Sequence, residues 1–265
     1  MRNLLIFVII IFCLIQTNES LFIKIGHSNI VFASSANSRE DSIPIIDRNI
    51  PSNIETATFA MGCFWGPDGL FGVLSGVIRT RVGYAGGDKI NPTYYDLGDH
   101  SETIQIDYDP EKITYLQLLQ IFWNNHNCKL KSSSRQYMSI ILYHNLRQRD
   151  AATQSMQEQE KKLNEKLYTE IVPLTQFYRA EDYHQKYSLQ RVESISDELK
   201  KIYPNFQDFV DSTAVARING FIGGHGTCEQ LKKEINSYGL TEGSEKYLLN
   251  LVCQLRTVQR ISQGV

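Results

Sequence analysis

The element order read from the chain predicts an α+β protein: a ferredoxin-like two-layer sandwich with a mixed sheet and a helical C-terminal extension. Three observations carry this. Short strand-like runs and amphipathic stretches follow one another as β-α-β-β-α-β, the split arrangement of such sandwiches. From Asp182 onward the pattern turns mostly helical. The 265 residues are 42% hydrophobic and 21% charged, enough apolar material for a full core.

The elements are justified in turn. Thr56–Gly62 reads as a strand, and a helix spans Pro67–Leu74, with proline in the first turn where its missing N–H is not needed. Val77–Tyr84 is a strand, and the loop Ala85–His100 carries Gly86-Gly87-Asp88 and Asn91-Pro92 as turn formers. Strand Ser101–Tyr108 ends at Asp109-Pro110. Tyr115, Leu118, Leu119, Phe122 and Trp123 then share one helical face. Tyr137–Tyr143 is a strand, Asn145–Lys166 a charged surface helix, and Thr169–Leu174 a further strand. A glycine-rich break, Ile218–Thr227, interrupts the helical region. Its spacing is not G-x-G-x-x-G and no strand feeds it, so it reads as a flexible loop leading to Cys228 and not as a phosphate cradle.

The predicted organisation is a signal peptide over residues 1–20, a linker or mature arm over 21–54, the main α+β domain over 55–187 and a helical extension over 188–265. Met1-Arg2-Asn3 is a basic lead and Leu4–Ile15 an apolar run of signal-peptide length, short for a membrane span. This predicts the secretory pathway, in the endoplasmic reticulum lumen or outside the cell, with an uncleaved signal anchor as the alternative. A net charge of −2 without a basic block argues against nucleic acid. Beyond Cys13 in the leader, Cys63, Cys128, Cys228 and Cys253 remain, with no C-x-x-C spacing and so no zinc pattern. No metal or cofactor is expected, and a monomer is the default.

Met61-Gly62-Cys63-Phe64-Trp65-Gly66 places a cysteine at a strand-to-helix junction beside two large aromatics. Unpaired N–H groups at the helix start favour a thiolate there. Glu102 shares a strand face with Ile104, Ile106 and Tyr108. A carboxyl at the mouth of that face is desolvated and becomes a proton donor near neutral pH; a solvated strand start is the alternative. Tyr94 and Tyr95 follow a turn, which leaves one of them free to line a cleft, and Tyr137 lies near the start of a strand after the polar run Ser132–Gln136; a structural role is the alternative for each. His100, His126 and His184 are candidate bases, though nothing in the sequence brings them to Cys63.

An ordered series of motifs follows: Gly62-Cys63-Phe64-Trp65-Gly66, Val82-Gly83-Tyr84-Ala85-Gly86-Gly87, Asn91-Pro92-Thr93-Tyr94, Gly98-Asp99-His100-Ser101-Glu102, Phe122-Trp123-Asn124-Asn125-His126, Gln136-Tyr137 and Ala180-Glu181-Asp182-Tyr183-His184-Gln185. From Phe59 to Tyr187 the chain resembles the peptide-methionine (S)-S-oxide reductases. The resemblance implies reduction of methionine sulfoxide, in proteins or as the free amino acid, with Cys63 as nucleophile. It further implies Phe64 and Trp65 as the pocket for the sulfoxide's methyl group, Glu102 as acid, and Tyr94 and Tyr137 as donors to the sulfoxide oxygen. A sulfenic acid on Cys63 would then be converted to a disulfide by a second cysteine and reduced by thioredoxin or a similar dithiol.

Three departures accompany it. The segment between His126 and Gln136 is short and supplies no acid, so the family's second acid stays unassigned. The usual cysteine-bearing tail is replaced by Asn219–Cys228 and a longer extension; Cys228 is the first choice as resolving cysteine, Cys253 reads as core, and Cys128 is the third candidate. The leader implies an oxidising route, at odds with thioredoxin. The alternatives are a non-catalytic sulfoxide-binding module, or another cysteine chemistry such as peroxide reduction or hydrolysis.

Overall fold

A computed structural model describes the backbone over residues 42–262 and side chains through Gln254. The leader, Cys13 and most of the predicted arm lie outside the described residues. The arm's last part is docked. In helix α1 (Ile45–Arg48), the Asp47 carboxylate accepts hydrogen bonds from the Tyr203 hydroxyl at 2.6 Å, the Ser212 hydroxyl at 2.7 Å and the Thr213 N–H at 2.6 Å.

Six strands form one mixed sheet in the order β5-β4-β1-β3-β2-β6. They are β1 (Glu55–Met61), β2 (Val77–Ala85), β3 (Ser101–Tyr108), β4 (Ser139–Tyr143), β5 (Glu170–Pro173) and β6 (Phe177–Arg179). Neighbours are antiparallel except β4 and β5, which run parallel with Ile140 opposite Glu170. Strand β3 lies between β1 and β2 and is buried at seven of its eight positions, which explains why it reads as apolar without clean alternation. Strand β6 has only three residues and gave no sequence signal; it forms because its backbone completes the β2 edge, with Tyr178 opposite Tyr84.

Helix α2 (Trp65–Gly72) connects β1 to β2, and α3 (Tyr115–Asn124) connects β3 to β4. Helix α3 starts in a capping box, in which the Thr114 hydroxyl accepts the Gln117 N–H while the Gln117 carboxamide accepts the Thr114 N–H. Its Leu118, Leu119, Phe122 and Trp123 are buried in the main core with Phe59, Phe71, Ile104 and Ile106. Helix α4 (Leu146–Leu163) is the charged helix, with Gln148 and Ala152 as its buried positions.

The C-terminal region contains α5 (Tyr187–Gln190), α6 (Glu193–Ile202), α7 (Phe206–Asp211), α8 (Thr213–Ile222), α9 (Cys228–Glu234) and α10 (Glu242–Ser262). It builds a second core around Leu199, Phe209, Val215, Ile218 and Leu248, into which Val73 at the end of α2 also inserts. Ile218–Ile222, expected within a loop, belongs to buried helix α8; the break shrinks to 223–227. The glycine that suggested a loop serves a close helix contact. A Cβ at Gly220 would lie 2.5 Å from the Gly69 carbonyl oxygen and 2.6 Å from Val73 Cβ. Packing here overrides helix propensity.

Candidate active site

Gly62 ends β1 with φ +85°, a backbone that favours glycine. It turns the chain so that Cys63 precedes the first turn of α2 and opens to solvent as a free thiol. Helix α2 is anchored from below. Asp68 is fully buried, and its carboxylate takes the Lys186 Nζ at 2.9 Å, the Lys186 N–H at 2.9 Å and the Thr80 hydroxyl at 2.6 Å. The ammonium of Lys186, itself fully buried, also donates to the Thr80 carbonyl at 2.6 Å. This paired charge locks the helix that presents the cysteine to β2 and to the segment after His184.

Glu102 is 1% exposed, so the solvated alternative is excluded. Its Oε2 accepts the Phe64 N–H at 3.0 Å and its Oε1 accepts the Gln136 amide at 2.7 Å. Desolvation raises its pKa above the usual range, against these two hydrogen bonds. The acid therefore hangs from the backbone of the residue that follows the nucleophile. Cys63 departs from expectation. The Trp65 N–H does lower its pKa, as the helix-start argument requires, but partial desolvation is larger, and the Glu102 charge adds to it. The net direction is upward, so the resting group is a thiol. A thiolate at Cys63 and a carboxylate at Glu102 repel each other, which makes one proton between them the favoured count.

The aromatic wall is real and larger than Phe64 and Trp65. Phe64 is 1% exposed and packs on Tyr84, with centroids 6.0 Å apart, and edge-on against His184 at 5.1 Å. The Trp65 ring stacks on Tyr187 at 3.7 Å, and its N–H donates to His184 Nδ1 at 3.2 Å. This leaves His184 as an aromatic brace and not a base toward Cys63. Burial lowers its pKa, so it stays neutral. His100 ties the loop before β3 through Gly87 N–H and the Lys89 carbonyl, and His126 ties α3 to the Ser139 hydroxyl. Neither is directed at the cysteine.

Tyr94 and Tyr137 converge on the same opening. The Tyr137 phenol is pushed up by desolvation, then by Glu102, Tyr94 and Cys63, so all four groups lie within interacting range. Tyr94 packs 4.7 Å from His184, and its N–H donates to Glu181 Oε1 at 3.0 Å. Glu181 Oε2 accepts the Tyr84 hydroxyl at 2.7 Å. Desolvation acts to raise the Glu181 pKa, but these bonds hold it below the ordinary value. Glu181 is thus an ionised carboxylate adjoining the tyrosines, where the short segment before Gln136 offers no acid.

That short segment still delivers Gln136 and Tyr137 because Arg135 pins it. Its guanidinium donates to Glu170 at 2.8 Å, the Gly86 carbonyl at 2.7 Å and the Asp99 carbonyl at 3.0 Å. Sequence reasoning missed Arg135, Gln136, Tyr84, Tyr187 and the bracing role of Glu181. Gln136, Tyr84 and Glu181 do lie inside the ordered motifs, which was the available signal.

Cys228 starts α9 and is bonded to Cys253 in α10, with Cα atoms 5.1 Å apart. Cys253 is therefore not the simple core residue expected, and Cys228 as it stands is not a free thiol. The loop before it packs on α2, where a Cβ at Gly69 would meet the His225 ring at 2.9 Å. Cys128 is a free, buried thiol with a pKa raised by desolvation. Among the described residues, no group of three His, Cys, Asp or Glu side chains could hold a metal ion.

A desolvated acid, an adjacent cysteine and two phenols around one apolar wall define a thiol-dependent oxidoreductase site. The family model described as peptide methionine sulfoxide reductase matches residues 55–215. A peptide methionine sulfoxide reductase of Drosophila melanogaster is 42% identical over 224 residues, covering 84% of this chain and 87% of its own. One from Methanosarcina acetivorans is 40% identical over 167 residues, covering 58% and 88%. The crystal structure of Mxr1 from Saccharomyces cerevisiae in reduced form superposes with a TM-score of 0.51 at 26% identity, covering 55% of this chain and 90% of that one. The chain belongs to the peptide methionine sulfoxide reductase family.

Proposed function

We propose that the protein reduces L-methionine (S)-S-oxide, in polypeptides and as the free amino acid, with Cys63 as nucleophile. The observation that carries this reading is the suspension of Glu102 from the Phe64 N–H, one residue beyond Cys63, at 3.0 Å. Sulfoxide sulfur is a poor electrophile until its oxygen gains a proton. The methyl group rests on Phe64 and Trp65, and the oxygen faces Glu102, Tyr94 and Tyr137. The Cys63 thiol first yields its proton to Glu102; the thiolate then attacks, the sulfoxide oxygen passes to Cys63 with that proton returned by Glu102, and methionine leaves. Cys63 is then a sulfenic acid, oxidised by two electrons as the substrate is reduced by two.

Regeneration follows from the cysteine pair. A reduced Cys228 thiol attacks the sulfenic acid, releasing water and forming a Cys63–Cys228 disulfide. Cys253 then attacks Cys228 and frees Cys63, leaving the Cys228–Cys253 bond. An external dithiol, thioredoxin or a similar protein, reduces that bond and is itself oxidised.

The basic lead and apolar run at residues 1–15 support entry into the secretory pathway. No helix among the described residues is long and apolar enough to cross a membrane. The function is tested by incubating the protein with dithiothreitol and each sulfoxide epimer. Consumption of the S epimer alone is expected; loss of neither epimer would leave the binding-module alternative standing.

A further inference from the structure

Two tyrosines at the mouth take no part in this chemistry. Tyr95 is 91% exposed and Tyr183 is 52% exposed. Both are continuous with the pocket wall: the Tyr95 ring meets Tyr94 edge-on with centroids 5.4 Å apart, and the Tyr183 ring lies 4.1 Å from His184. Desolvation and the charges of Glu181, Tyr95 and Tyr94 raise the Tyr183 pKa, which places the two rim tyrosines within electrostatic reach of each other.

The loop that presents Tyr95 is strapped. The Asp99 carboxylate accepts the Asp88 N–H at 2.9 Å and the Lys89 N–H at 3.1 Å, while His100 Nε2 bonds the Lys89 carbonyl at 2.7 Å. Thr93 and Asp96 pair through their backbones, and the Asp96 carboxylate meets the Lys89 ammonium at 2.5 Å. Asp182, beside Tyr183, faces Arg179 at 3.5 Å. The rim is thus aromatic, charge-compensated and held in place, so binding against it requires little further ordering.

A free amino acid has nothing to lay across this rim. In a polypeptide, consecutive Cα atoms are about 3.8 Å apart, so the neighbours of a methionine seated at Cys63 must cross whatever borders the mouth. Tyrosine suits that role, because it offers a rigid apolar face at low entropy cost and tolerates many partners. We infer that Tyr95 and Tyr183 form a subsite for the residues flanking an oxidised methionine, fitting an extended polypeptide with an apolar or aromatic neighbour. The inference rests on the function proposed above.

The test compares wild type, Tyr95→Ala and Tyr183→Ala on three substrates. These are free L-methionine (S)-S-oxide, a terminally blocked peptide with the sulfoxide between glycines, and the same peptide with phenylalanines instead. The readout is the ratio of kcat/KM for the phenylalanine peptide to that for the glycine peptide. Wild type should favour phenylalanine, and each variant should cut the ratio roughly three- to ten-fold through KM, as expected when one aromatic pair is removed. Equal ratios in all proteins, or variants that lower all three substrates together, would overturn the subsite. Wild-type protein that reduces none of the three would overturn the function itself and the rim with it.

Discussion

The backbone N–H of Phe64 donates to Glu102 Oε2 at 3.0 Å. This couples the acid to the nucleophile's own neighbour, so any shift in the β1–α2 junction moves both together. Glu102→Gln keeps an acceptor for that N–H and loses the proton. It should lower kcat for sulfoxide reduction by roughly 10²- to 10⁴-fold, the range of a positioned general acid, with KM little changed. A hydrolase relying on a histidine base would be largely indifferent to it.

The same substitution should raise stability at neutral pH. Glu102 has a folded pKa above its ordinary 4.5, so the folded state binds the proton more tightly than the unfolded chain. Its unfavourable contribution is absent below the unfolded pKa and grows as pH rises through the interval to the folded pKa. The difference in Tm, variant minus wild type, should therefore increase from pH 4 to pH 7. A difference that stays constant or shrinks over that range would contradict the buried acid.

Cys63 carries a pKa raised above 9.0 by desolvation, opposed by the Trp65 N–H and reinforced by Glu102. Its alkylation by iodoacetamide should accelerate with pH toward an inflection above that value, and the inflection should move down in Glu102→Gln. Cys63→Ser supplies the background from other thiols. In turnover, the productive pair is a thiolate with a protonated acid, so kcat/KM should be level between the two pKa values and fall outside them.

Helices α2 and α8 meet across Gly220. Alanine there would gain roughly 1 kcal/mol of helix propensity, but its Cβ would sit 2.5 Å from the Gly69 carbonyl oxygen. Overpacking of about 1–3 kcal/mol should win, and Gly220→Val should cost more than Gly220→Ala. Thermal unfolding checks the order; a stabilised Gly220→Ala would show that the helices separate easily.

The cysteine relay makes a trapping prediction. Cys253→Ser should accumulate a Cys63–Cys228 disulfide after one turnover, and Cys228→Ser should stop at the sulfenic acid. Non-reducing peptide mapping distinguishes the two. A Cys63–Cys128 bond in either variant would move the resolving role to Cys128.

The setting of Cys63 was legible because it is local: a turn-forming glycine, a cysteine and two aromatics stand in four consecutive residues; its protonation was not, because burial outweighs the Trp65 N–H. Glu102 was half legible. Its strand face was readable, but its burial depends on segments distant in sequence, the start of α2 at Phe64 and the Gln136 segment, meeting its carboxylate. The braces were not legible as contacts, because they join distant segments, as when Tyr84 reaches Glu181 across 97 positions. Helix α8 was misread for a physical reason, since a glycine that ordinarily signals a loop here admits a neighbouring helix. The Cys228–Cys253 pairing was closed to sequence reading, because cysteine count does not fix connectivity.

The central claim is that Cys63 takes the sulfoxide oxygen. The direct measurement is a single turnover of the reduced Cys228→Ser/Cys253→Ser protein with L-methionine (S)-S-oxide, followed by dimedone trapping and peptide mass analysis. The account predicts one methionine per protein and one dimedone adduct, on Cys63. Methionine formed without an adduct on Cys63, or an adduct confined to Cys128, would contradict it.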